Sequence, residues 1–76
     1  MSMANVSRAF SAALGAKGSS QGCYMNYVRG EDGQQVQRLT CRFTTPAGTQ
    51  REAEGFYQGQ ADLVAAAAEL GQSVEA

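Results

Sequence analysis

The chain of 76 residues has no histidine, no tryptophan, one proline and two cysteines. Each scarcity narrows the function. Without histidine, the side chain most often used for general acid–base catalysis is missing. Two thiols with no imidazole supply only half of a tetrahedral zinc site. The one proline, Pro46, lies outside the segments that read as strands, so it protects no strand edge. No apolar run approaches the roughly eighteen residues of a membrane span. No glycine-rich phosphate loop is present either: "GAKGSSQG" has glycine and lysine, but neither the spacing nor the preceding strand such a loop requires.

Acid is missing from the first part of the chain. Residues 1–30 carry Arg8, Lys17 and Arg29 and no carboxylate, whereas residues 31–76 carry all seven acids against Arg38, Arg42 and Arg51. The net charge of −1 excludes a strongly basic protein, and the uneven distribution makes the molecule dipolar. With 43% hydrophobic and 17% charged residues the composition is that of a folded chain, not a disordered one. The length is that of one domain, 1–76, with a thin core over about 4–71 and a frayed tail over 72–76. The opening "MSMANVSRAFSAALGAKG" resembles a transit peptide in its serine and alanine content, but its periodicity is that of an ordinary amphipathic helix. With no signal recognised, the expected compartment is the cytoplasm, where thiols stay reduced.

What is present is a pattern of elements. Val6, Phe10, Ala13, Leu14 and Lys17 share one helical face, which predicts a first helix over about 4–16, with Asn5 as its N-cap. "GSSQG" reads as the loop that follows. "GEDGQ" (Gly30 to Gln34) suits a three-residue hairpin loop, with a type I turn on Glu31 and Asp32 and a left-handed Gly33. "TPAGT" (Thr45 to Thr49) repeats that design with Pro46 and Gly48. Pairing Gly30 with Gln34 and Thr45 with Thr49 sets both registers. One face then carries Cys23, Met25, Tyr27, Leu39, Cys41, Phe43, Ala53, Gly55 and Tyr57. The other carries Tyr24, Asn26, Val28, Val36, Arg38, Thr40, Arg42, Glu52, Glu54 and Phe56. The first is apolar and the second mostly polar, and a one-residue slip would destroy that sorting. "GQADLVAAAAELGQ" is a second helix with Asp62 in its first turn, a buried stripe of Leu63, Val64, Ala67 and Leu70, and Gly71 as its stop. Its alanines predict close approach to the sheet near Ala53 and Gly55. The expected fold is α+β: helix, three-stranded antiparallel meander, helix, with both helices on one face.

In this order, "TCRFTTPAGTQREAEGFYQGQADLVAAAAELG" resembles the double-stranded RNA-binding domain, in which a third strand runs through glycine into an alanine-rich second helix. The resemblance covers most of the chain and implies the same topology, with Tyr24 near that family's first-strand aromatic. It also implies a nucleic-acid binder, but the contact motifs depart from the family's. Gln60, Ala61 and Asp62 stand where the family opens its second helix with lysines, and Glu31 and Asp32 occupy the hairpin loop that enters the minor groove. Arg8 and Lys17 are the cations left for phosphate.

No catalytic set can be assembled. Cys23 and Cys41 have no partner base, and Glu52 and Glu54 read as solvated cross-strand carboxylates opposite Arg42 and Thr40. The chain is therefore expected to be non-enzymatic and to need no cofactor and no metal. In size and character it is similar to the small inhibitors of phages and mobile elements, anti-CRISPR proteins among them, which act on a protein partner. The expected contact face is Tyr24, Asn26, Arg38, Arg42 and Phe56. The proline-free edge strands leave open a homodimer or strand addition by a partner. Cys23 and Cys41 fall opposite each other on the buried face as a non-hydrogen-bonded pair, as two thiols or as a cross-strand disulfide, with thiols favoured in a reducing compartment.

Overall fold

The computed structural model describes residues 2–75. Its element order is α1 (Met3–Leu14), a single 3-10 turn (Gly15–Lys17), β1 (Ser19–Arg29), β2 (Gln35–Thr44), β3 (Gln50–Tyr57) and α2 (Leu63–Ser73). The strands form one antiparallel sheet in the order β1-β2-β3. The fold is the expected helix, three-stranded meander, helix.

Both hairpins close as the turn residues predict. The N–H of Gly33 donates to the carbonyl of Gly30 (3.0 Å) and the N–H of Gly30 to the carbonyl of Gln34 (2.7 Å). Gly48 to Thr45 and Thr45 to Thr49 repeat this geometry at 2.8 Å each. Gly33 and Gly48 have φ of 82° and 86°, a conformation that costs glycine little and other residues much. Cys23 pairs with Cys41, Asn26 with Arg38, and Arg38 with Phe56, as both registers require.

The core lies between the helices and one face of the sheet. Val6, Phe10 and Leu14 of α1 and Leu63, Ala66 and Ala67 of α2 cluster with Leu39, Cys41 and Phe43 of β2. The rings of Phe10 and Phe43 meet at 5.9 Å with a 56° tilt, a favourable aromatic geometry. Each of these large side chains contributes about 1.5–3 kcal/mol on burial.

Several local expectations are corrected. The N-cap of α1 is Ser2, not Asn5: Ser2 has extended backbone and its Oγ accepts the N–H of Ala4 (3.2 Å), while Asn5 lies inside the helix and accepts from Arg8. "GSSQG" is not a loop. Ser19 and Ser20 already pair with Thr44 and Phe43, and the extra residue is absorbed by a bulge between Ser20 and Gly22. Asp62 is the N-cap of α2, accepting the N–H groups of Val64 (3.1 Å) and Ala65 (3.2 Å). α2 also runs through Ser73, into the segment expected to fray, whose last residue, 76, lies outside the described residues. The ammonium of Lys17 explains this, donating to the carbonyls of Gly71 (2.7 Å), Gln72 (3.1 Å) and Val74 (2.7 Å) and so satisfying the negative end of the helix.

The largest correction concerns α2, which packs mainly against α1 rather than the sheet. The space over Gly55 is filled by the ring of Tyr57. The buried stripe of α2 is Leu63, Ala66, Ala67 and Gly71, with Val64 and Leu70 only half-buried. Gly71 is therefore a contact, not a stop. A Cβ there would lie 2.7 Å from the Cβ of Ala13 and 2.8 Å from the carbonyl oxygen of Phe10. Tyr27 is the other departure: it is on the helix side by register yet 59% exposed, because α1 begins at Met3 and leaves the end of β1 uncovered.

Two effects oppose each other at Gly71. Alanine raises helix propensity by about 1 kcal/mol, but here it meets backbone that cannot retreat. Gly71→Ala is expected to lower unfolding stability by about 1–3 kcal/mol in urea denaturation. A stabilised variant would show that the helices are not in contact at this point.

Candidate functional site

The open face of the sheet is set by strand alternation. In cross-strand rows it carries Val28 and Val36, then Asn26, Arg38 and Phe56, then Tyr24, Thr40 and Glu54, then Gly22, Arg42 and Glu52. Thr40 lies at the centre of this face and is only 2% exposed. A side chain on an uncovered sheet can be that buried only if its neighbours close over it. Tyr24 and Glu54 flank it across the strands, and Arg38 and Arg42 flank it along β2.

The expected contact residues are brought together unequally. Arg38 Nε donates to Asn26 Oδ1 (3.1 Å), which holds the guanidinium over the sheet. Tyr24 (46% exposed) and Phe56 (57% exposed) stand on either side of Arg38 and Thr40, on the two outer strands. Tyr24, Asn26, Arg38 and Phe56 thus form one patch around β2. Arg42 stands beyond Thr40, with its Nε 3.7 Å from Glu52 Oε2 and both side chains largely in solvent. Such an exposed pair contributes about 0–1 kcal/mol.

Lys17, one of the two cations left for phosphate, is engaged by the end of α2. Arg8 remains exposed on α1 and donates to Asn5 Oδ1 (2.9 Å). Sequence reasoning missed this use of Lys17 because its partners are backbone carbonyls more than fifty residues away, and carbonyls carry no residue signature.

Cys23 and Cys41 face each other across β1 and β2 as free thiols, with the sulfurs 2.6 Å apart. Their surroundings differ. Cys41 is fully buried, whereas Cys23 is half-buried and its N–H donates to Ser7 Oγ (3.0 Å). The hydrogen bond between the two thiols lowers Cys23 below its ordinary value against the opposing effect of burial, with a smaller lowering by Ser7. The same bond, reinforced by burial, pushes Cys41 up. Cys23 is thus the thiol that ionises and meets reagent first.

Gln37 was not singled out by sequence reasoning, although a glutamine on the apolar face breaks the alternation. Its Oε1 is buried and has no hydrogen-bond partner among the described residues, beside a hollow of about 550 Å³ lined also by Met3, Met25, Ala61 and Leu63. In that row Gln37 lies between Tyr27 and Tyr57. Burial, with the Glu69 carboxylate next, raises the Tyr57 hydroxyl above its ordinary value. No helix in the described residues is long and apolar enough to cross a membrane.

No protein-family model, curated protein or solved structure matches the chain.

The cysteine asymmetry has a direct readout. Iodoacetamide on the native, reduced protein is expected to label Cys23 well before Cys41, located by peptide mass. Under oxidising conditions both should resist labelling, and the intact mass should fall by two hydrogens. Equal labelling rates would show that the hairpin opens as readily at Cys41 as at Cys23.

Proposed function

We propose that this chain is a small, non-enzymatic protein-binding module that acts in the cytoplasm by occupying a surface of a larger complex. That is the mode of action of small phage and mobile-element inhibitors such as anti-CRISPR proteins. The observation that carries this reading is the patch around Thr40. Two exposed aromatics bracket an arginine that Asn26 already holds in place. Aromatic residues and arginine are the side chains that most often dominate binding energy. A guanidinium fixed before the encounter loses less freedom on binding than a free one. The site residues proposed are Tyr24, Asn26, Arg38 and Phe56, with Arg42 at the margin. Self-association through a free strand edge belongs to the same reading.

The double-stranded RNA alternative has less support. It rests on topology and on Arg8 and Lys17, and the ammonium of Lys17 is held by three carbonyls. Duplex binding needs several converging cations, and its affinity falls steeply with salt.

Two experiments separate these readings. Affinity capture from lysate of the source cells, followed by titration of the captured protein, is expected to show that Arg38→Ala with Phe56→Ala weakens binding by more than about 1 kcal/mol. Arg8→Ala should leave it unchanged. Undiminished binding by a folded double variant would remove the open face from consideration. In a gel shift at low salt, duplex RNA is expected to give no complex. A complex lost on Arg8→Ala would restore the RNA reading.

A further inference from the structure

β1 is an edge strand, and the hairpin decides which of its backbone groups are free. Gly30 donates to Gln34, so that pair is hydrogen-bonded. Bonded and non-bonded pairs alternate along an antiparallel ladder. Val28, Asn26 and Tyr24 therefore turn their N–H and C=O groups toward β2, while Tyr27, Met25 and Cys23 turn theirs outward. The N–H of Cys23 confirms this parity, because it leaves the sheet to reach Ser7 Oγ at 3.0 Å. One turn further along, α1 has its first residue, Met3, and no described residue accepts from the outward N–H of Met25 or Tyr27.

The side chains of this free stretch are uncharged, and Tyr27 is 59% exposed on the side of the sheet that the helices should cover. We propose that β1 pairs antiparallel with β1 of a second copy about a two-fold axis at Asn26, joining two three-stranded sheets into one. This specifies the self-association that belongs to the binding-module reading, and it rests on that reading for the surface it extends.

The register follows from the side chains. Centred on Asn26, Met25 lies opposite Tyr27 of the second copy, and both turn their backbone groups outward, so they exchange hydrogen bonds. By symmetry the same pair forms twice. Tyr24 lies opposite Val28, and Asn26 opposite its own copy, so apolar residues meet apolar and amide meets amide. A shift of the axis to Met25 moves Cys23, whose N–H is already used, from the end of the pairing (opposite Arg29) to a place opposite Tyr27, and sets Tyr24 against Asn26. A shift to Tyr27 sets Asn26 against Val28. The other edge, β3, is protected. Its outward-turned groups belong to Gln50, Glu52, Glu54 and Phe56, and a two-fold axis at Ala53 opposes Glu52 to Glu54 twice.

Pairing through β1 places the row Phe56, Arg38, Asn26 end to end with Asn26, Arg38, Phe56 of the second copy. The open face becomes one two-fold-symmetric surface, suited to a partner that presents a repeated or symmetric site.

Sedimentation from micromolar to millimolar concentration is expected to show a reversible dimer. Tyr27→Pro removes an outward N–H and an exposed ring without touching the β1–β2 ladder. It is expected to raise the dimer dissociation constant by about tenfold or more, with amide exchange in β2 unchanged. Asn26→Cys tests the register even if the proline variant does not fold. Under mild oxidation its two copies should become linked by a disulfide between the substituted positions, identified by peptide mass, whereas Phe56→Cys should give no such link. A protein that stays monomeric throughout, an undiminished dimer in folded Tyr27→Pro, or linkage through Phe56→Cys alone would overturn the proposal. Loss of partner binding in the Arg38 and Phe56 double variant with the dimer intact would bear on the open face only.

Discussion

Gly33 and Gly48 each adopt a positive φ directly after a type I turn. That conformation fixes how many residues each hairpin loop holds, and loop length fixes register. The remaining features follow by parity. Leu39, Cys41 and Phe43 must face the helices, and Arg38, Thr40 and Arg42 must face away. Cys23 must fall opposite Cys41, and the backbone of Met25 and Tyr27 must point out of the sheet. A one-residue change in either loop would exchange the two faces of a strand, so core, thiol pair and open face would be lost together.

The helical layer obeys a different constraint. α1 and α2 run side by side, closest where Gly71 admits the backbone of Phe10 and Leu14, and Lys17 ties the end of α2 to the turn that follows α1. α1 lies over β1 and α2 nearer β3 and β2, but the two helices are held more closely to each other than α2 is to the sheet. This explains why Tyr57 folds its own ring over Gly55, a space that α2 does not fill. Tyr27, at the end of β1, stays exposed.

The sheet was legible in the sequence because its signals are local and its test is global. Two turns of known length, combined with alternation of polarity, allow one sorted register and no other. The helix contacts were less legible. Gly71 has the chemistry of a helix stop as well as that of a close contact, and only the partner helix decides between them. Ser2 and Asn5 are both good caps, and the backbone conformation at residue 2 made the choice. The open-face residues fall by parity on the face the registers assign them, but the near-complete burial of Thr40 is set by side-chain packing, which spacing does not encode.

Seventy-six residues build two layers and no more, so one face of the sheet has no layer of its own. The chain meets that constraint with long side chains in place of a third layer. Thr40 is almost fully buried between Tyr24 and Glu54 across the strands and Arg38 and Arg42 along β2, with Arg38 bonded to Asn26 and Arg42 largely in solvent. Such a cover excludes solvent from the sheet but is held weakly. The Arg42–Glu52 pair contributes at most about 1 kcal/mol, and the Arg38–Asn26 bond about the same or somewhat more. A partner that offers better contacts to these groups therefore displaces little. The core lies entirely on the other side of the sheet and need not move when it does so.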